Sequence, residues 1–302
     1  MHIYPKEKRM DYMEFLNAVC DYINDVATDV TVSVHSTLKN NGVRLSGITF
    51  SRKGYNASPT IYMENHYETY MNGMDVSEIG DRILGLYHEN ELSVNLDMSF
   101  FDDFATIKDR LFIKLINKNK NAEFLAEAPH EDFLDLAIVA YVRINDKKIG
   151  NGLIMVRNEH LALWHVSAKE VIDIAKKNTH DCDEFNLSHI IDVLTDLGRD
   201  MGVDDDQRRA FPMYVATNKR MTNGAAVLTM KDKLREYADV LGGDYYVIPS
   251  SVNELILVGH NCDCYQDIDG MIKEVNSTQL VPDEVLSDHA YLYSLKDEVL
   301  IF

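Results

Sequence analysis

Leu134-Asp-Leu-Ala-Ile-Val-Ala-Tyr-Val142 is the stretch from which the fold is read. From Leu136 onward, seven consecutive apolar side chains leave no position for solvent, so the run reads as a strand covered on both faces. It is far short of the ~20 apolar residues a membrane helix needs. Downstream, Asn145 to Gly152 reads as a turn and Leu153-Ile-Met-Val156 as a strand pairing back. Upstream, Arg110-Leu-Phe-Ile-Lys-Leu-Ile116 alternates poorly and is read as a further strand. Pro129-His130-Glu131-Asp132 gathers acid and base groups ahead of Asp135. It is read as a polar turn, with Asp135 satisfying backbone donors.

Toward the N-terminus, Asp11 to Ala27 predicts an amphipathic helix with Met13, Leu16, Cys20, Ile23 and Val26/Ala27 on its apolar stripe. Val30–Val34 and Val43–Phe50 read as two strands joined through Asn40-Asn41-Gly42, because Asn and Gly tolerate positive φ. Thr60–Met63 reads as a short strand, Tyr67–Met71 and Val76–Glu89 as helices. Ser167 and Glu170 have capping-box spacing and predict a helix to about Lys177. Thr179 to Arg209, with Asp204-Asp205-Asp206, reads as peripheral. The last third predicts strand Met213–Ala216, an Asn223-Gly224 turn, helix Met230–Leu241 closed by Gly242-Gly243, and strands Tyr245–Ile248 and Glu254–Val258. Helix Ile268–Val275 and strand Ala290–Tyr293 follow. The expectation is an α+β fold, with mixed or antiparallel sheets and hairpins flanked by helices, in two lobes at 1–125 and 126–302.

A 302-residue chain that is 46% hydrophobic can bury a large core, which excludes disorder as its main state. Four cysteines in such a length are no disulfide framework, and the first residues hold no apolar export segment, so a cytoplasmic location is expected. With 49 acidic against 30 basic residues the charge is −19, which argues against a phosphate backbone as partner. Lys114, Lys118 and Lys120, or Lys219 and Arg220, are the local basic clusters that would have to serve one.

No phosphate loop, dinucleotide glycine fingerprint, zinc-protease helix or nucleophile elbow is present. His260-Asn-Cys262-Asp-Cys264 places metal-ligand types at alternate positions, whereas structural zinc uses cysteine pairs two to four residues apart, so no metal and no cofactor is expected. The candidate ligand-binding residues are Thr217, Asn218, Asn223 and Gly224 in one polar loop, and Ser250, Ser251 and Glu254 in another. The two loops are expected to lie close together, each beside a strand of one sheet.

Five strings, Lys39-Asn-Asn-Gly-Val-Arg-Leu-Ser-Gly-Ile48, Pro129-His-x-x-Phe133-Leu-Asp-Leu-Ala137, Thr217-Asn218 with Gly224-Ala-Ala226, Ile248-Pro-Ser-Ser251, and Glu274-Val-Asn276 with Pro282-x-Glu284-Val-Leu-Ser287, run in order through the chain. Together they resemble a family of uncharacterised proteins from anaerobic Gram-positive gut bacteria. The C-terminal half also resembles a broader uncharacterised bacterial family, whose members place His before the Glu of the Ser-Ser turn; here that position is Asn253, which weakens any histidine base there. The resemblance carries no catalytic residue across. The residues favour a non-enzymatic interaction or regulatory protein with a protein partner and no membrane partner. A hydrolase-like or small-ligand-binding site near Ser250-Ser251 is the alternative, and an acidic decoy of a nucleic-acid-binding protein a third reading.

Overall fold

The computed structural model describes residues 9–56, 58–90, 95, 98–146, 150–199, 202, 208, 212–260 and 267–302. The fold is α+β, its sheets antiparallel throughout the described residues. The chain divides into two compact units, Met1–Lys39 with Val43–Met98, and Asn40–Gly42 with Ser99–Phe302.

In the first unit, α1 (Tyr12–Val26) starts from a complete capping box, Asp11 accepting from the Glu14 backbone and Glu14 reaching back to Asp11. Its buried residues are Phe15, Leu16, Val19, Cys20 and Ile23. Met13 and Val26, which the stripe placed in the core, are about half exposed, because the buried arc is centred on Leu16, Val19 and Ile23. Strands β1 (Thr31–Leu38), β2 (Arg44–Ser51) and β3 (Thr60–Tyr62) form a sheet in that order. Helices α2 (Glu64–Met71) and α3 (Val76–Glu89) complete the unit. Phe50 stacks on Tyr87 of α3 with ring centres 4.4 Å apart, among Val32, Ile48, Ile79 and Ile83. A side chain at Gly80 would strike the Tyr22 ring, so the glycine lets α1 and α3 approach.

The second unit holds two sheets. Strands β4 (Leu111–Asn117), β5 (His130–Phe133), β6 (Leu136–Asp146) and β7 (Gly150–Met155) form one, in which β6 pairs with each of the other three. The expected central strand is therefore central, and Leu136 to Val142 are each no more than 3% exposed. One face, with Leu111, Ile113, Leu115, Ile138, Ala140 and Val142, enters the main core; the other, with Ile116, Ala137 and Val139, is covered by Leu125 of α5 (Ala122–Leu125). His130 to Phe133 is thus a strand and not a turn, its exposed Glu131 paired with Lys176 and its exposed Asp132 with Lys118. Leu134, at φ +55, makes the turn into β6.

Around this sheet lie α4 (Phe104–Ile107), α6 (Asn158–Trp164) and α7 (Ala168–Cys182), whereas α8 (Ile190–Asp196) packs on the larger sheet. Ser167 caps α7, which runs five residues beyond Lys177. The extension matters: Thr179, fully buried, accepts from the Ile113 N–H at 2.9 Å and donates to Ala175, sealing the free edge of β4. The segment from Thr179 is accordingly not peripheral, since Phe185–His189 forms strand β8; Asp204-Asp205-Asp206 lies outside the described residues.

The larger sheet runs β13-β12-β10-β11-β9-β8, with β9 Met213–Asn218, β10 Tyr245–Ile248, β11 Leu255–Gly259, β12 Tyr291–Ser294 and β13 Val299–Ile301. A 3₁₀ turn, Gly224–Thr229, leads into α9 (Lys231–Leu241), which Gly242 closes at φ +82; α10 is Ile268–Thr278. Tyr245, Val247, Leu255, Leu257, Tyr291 and Tyr293 face Val227, Leu228, Leu234 and the first sheet's Ile113 and Ile138 in one continuous core. Burying each large side chain there contributes about 1.5–3 kcal/mol.

Candidate functional site

Strands β9 and β11 are neighbours, Ala216 opposite Leu255, so the loops that follow the first and precede the second emerge at one sheet end. They meet as expected, and Asn253 is the residue that joins them. Its carbonyl accepts from the Thr217 hydroxyl at 2.7 Å, its Oδ1 from the Asn223 N–H at 3.0 Å, and its Nδ2 donates to Glu284 at 3.3 Å. Its own N–H donates to the Ser251 hydroxyl at 3.0 Å. Gly224 is required at this junction, because a Cβ there would collide with the Asn253 carbonyl and the Thr217 hydroxyl. Asn218, almost fully buried, accepts from the N–H groups of Arg220 and Thr222 and donates to the Thr222 carbonyl and to Asp183. The polar groups of Thr217, Asn218 and Ser251 are therefore spent on holding backbone, while the buried Nδ2 of Asn223 finds no hydrogen-bond acceptor among the described residues.

Ser250 and Glu254 differ from these. Both are half-buried. Burial pushes the Glu254 carboxyl up, the neighbouring Glu284 adds to the shift, and Ser250 opposes it. Across from them burial pushes the Lys114 ammonium down, against the pull of Asp283 and Glu284. A carboxyl whose pKa is raised beside a second carboxylate is shifted toward the behaviour of a general acid.

The strings read from the sequence converge on Pro282–Tyr291. The Asn41 amide donates to the carbonyls of Pro282 and Val285, and exchanges hydrogen bonds with the buried Asn121. Asn276 donates to the Ser287 carbonyl and to Asp288. Asp135 does not satisfy backbone donors: it accepts from the hydroxyls of Tyr291 at 2.7 Å and Ser287 at 3.0 Å, and His289 Nε2 lies 3.2 Å away. Burial pushes the Tyr291 hydroxyl up; Ser287 works against that shift and Asp135 reinforces it.

His260 stacks on Tyr246, ring centres 5.1 Å apart, while Cys262 and Cys264 lie outside the described residues. Among the described residues no group of three or more His, Cys, Asp or Glu can hold a metal ion, and no helix is long and apolar enough to cross a membrane. Three of the four lysines of the basic clusters are paired with acids: Lys118 with Asp132 at 2.5 Å, Lys120 with Asp288 at 2.9 Å, Lys219 with Glu184 at 3.2 Å.

At the other side of the large sheet a groove of about 340 Å³ opens between the start of α10 and strands β10, β12 and β13. Tyr246, Ile268, Leu292 and Ile301 line it, Phe302 closes one side, and Asp267 and Asp269 add negative charge. Ile301 is 50% and Phe302 71% exposed, and β13 is the edge of the sheet.

Of the residues singled out in the sequence, Thr217, Asn218, Asn223, Gly224, Ser250, Ser251 and Glu254 share one end of the unit. The groove and the roles of Asn253 and Glu284 were not foreseen. Only position 253, Asn where the resemblance places His, hinted at the role of Asn253.

Neither curated proteins nor solved structures offer a match to the chain. A family model does match, over residues 12–295 and hence through both units, and the chain belongs to that family, a family of unknown function (DUF5688).

Proposed function

We propose that the chain is a non-enzymatic, cytoplasmic protein-interaction module, and that its partner is a protein segment pairing an apolar anchor with Lys or Arg. The groove beside β13 carries the reading: Tyr246, Ile268, Leu292 and Ile301 line it together with Asp267 and Asp269, next to an edge strand that exposes Val299, Ile301 and Phe302. Exposed apolar side chains gathered at a sheet edge are costly for an isolated protein and useful at an interface. A chain of charge −19 favours a cationic partner, whose approach it accelerates at low salt. The inward commitment of Thr217, Asn218 and Ser251 agrees with a scaffolding role for those loops.

The test is quantitative affinity purification of the tagged full chain from its native cells, beside Ile301→Asp and Leu292→Asp variants. The expected result is a near-stoichiometric protein with a basic contact segment, lost with both variants and weakened by salt. A partner retained by both variants, or a chain that returns alone, overturns the reading.

The enzymatic alternative rests on Ser250, Glu254 and Glu284. A substrate screen in which Glu254→Gln abolishes turnover without loss of fold would favour it.

A further inference from the structure

We propose that the second unit also carries a binding cleft for a small anionic metabolite, bearing a carboxylate or a phosphate, between the β6–β7 hairpin and the Asn218–Thr222 loop. The cleft has a volume of about 520 Å³, the size range of small-ligand sites. Arg143, Asn145 and Leu153 line it from the hairpin, Arg220 and Thr222 from the loop, with Tyr141 between them. In a chain of charge −19, both charged residues on its wall are arginines.

Arg143 is held in place before any ligand arrives. Its guanidinium donates to both oxygens of the buried Asp183, at 2.9 and 3.2 Å, and to the Tyr141 hydroxyl at 3.1 Å. Its Cζ lies 3.4 Å from the centre of the Phe112 ring. These bonds use three of the five N–H donors of an arginine and leave two for an incoming oxygen. Burial works against the Arg143 cation, and Asp183 and Tyr141 more than offset it. The charge is thus maintained while its screening by water is reduced.

Arg220 is presented by the loop that Asn218 folds. Asn218 Oδ1 accepts from the Arg220 and Thr222 N–H groups, and Met221 between them takes φ +49. The same Asn218 donates to Asp183, so one amide ties the loop to the anchor of Arg143. The Lys219 ammonium turns to Glu184, whereas the exposed Arg220 guanidinium forms no ion pair among the described residues. An anion in the cleft is attracted by both guanidinium groups, by Arg220 as an unpaired cation and by Arg143 through the donors that Asp183 leaves free. Fork-shaped donors favour carboxylates and phosphates over spherical anions. This cleft shares no residue with the groove beside β13, so each reading can fail without the other.

The test is calorimetric titration of the full chain at low ionic strength with three probes: inorganic phosphate, pyrophosphate and citrate. Saturable binding of at least one is expected. Arg220→Gln should weaken it about tenfold, the scale of one lost charge-assisted hydrogen bond. Arg220→Lys should retain part of the affinity, and Lys219→Gln, one residue away and outside the cleft, should leave it unchanged. Circular dichroism confirms that the exposed substitutions leave the fold intact. Tighter pyrophosphate assigns a phosphorylated ligand; tighter citrate assigns a carboxylate. No saturable binding by any probe, or equal losses in Arg220→Gln and Lys219→Gln, overturns the proposal.

Discussion

At Gly224 one added methyl group decides whether the two loops of the second unit can meet. Its Cβ would strike the backbone carbonyl of Asn253, which cannot swing aside as a long side chain can. Gly224→Ala should therefore destabilise the protein by about 1–3 kcal/mol in urea denaturation, and a loss under about 0.5 kcal/mol would show that the junction yields. Glu254 makes a prediction of the opposite sign. Its folded-state pKa is raised, so its contribution to stability is present below the ordinary carboxylate range and lost as pH rises through the folded value. At neutral pH its charge opposes folding. Glu254→Gln, which resembles the protonated form, should be more stable than the parent near pH 7, and the advantage should shrink near pH 4. Denaturation midpoints at both values check this; an equal advantage at both would remove the Glu254 charge as its cause. Neither behaviour was legible in the sequence, where Asn253 and Glu284 lie 31 positions apart and nothing marks them as partners.

Among the elements, β6 and the edge of β4 offer paired tests. Ile138 is 1% exposed in the main core, so Ile138→Ala should cost roughly 2–5 kcal/mol through lost transfer energy and a cavity. Thr179→Val preserves shape but leaves the Ile113 N–H buried and unpaired, which costs about 1–3 kcal/mol. Urea denaturation of both variants decides these, and an unchanged Thr179→Val would mean that β4 finds another acceptor. The two positions differ in how readable they are. Seven apolar residues in a row announce β6 because a covered strand has no alternative composition. Thr179 looks like any polar residue in the last turns of a helix, since the group it serves belongs to a strand 66 positions earlier. Strand β5 was hidden for a related reason: His130, Glu131 and Asp132 are exposed, so the run carries turn composition while its backbone pairs with β6. By contrast α3 and the Gly242 cap depend on local chemistry alone and stand where their residues predict.

For the molecule as a whole, 49 acids against 30 bases imply net self-repulsion in the folded state. Raising ionic strength from about 0.02 to 0.2 M shortens the Debye length from roughly 20 Å to below 10 Å, and the thermal midpoint should rise with it. A midpoint that falls or stays level would mean that the ion pairs, such as Lys118–Asp132 and Lys120–Asp288, outweigh the repulsion they relieve.

The β4–β7 sheet is complete in sequence by Met155 and α7 follows soon after, but the rest of the cover on its core face, from Val227 through Tyr293, comes later. At ~5–20 residues per second, a ribosome takes roughly 10–30 s to supply them. During that interval Ile113, Leu115, Ile138 and Ala140 present a finished apolar sheet with only part of its cover, and the nascent chain is a client for whatever holds such surfaces apart in the cell.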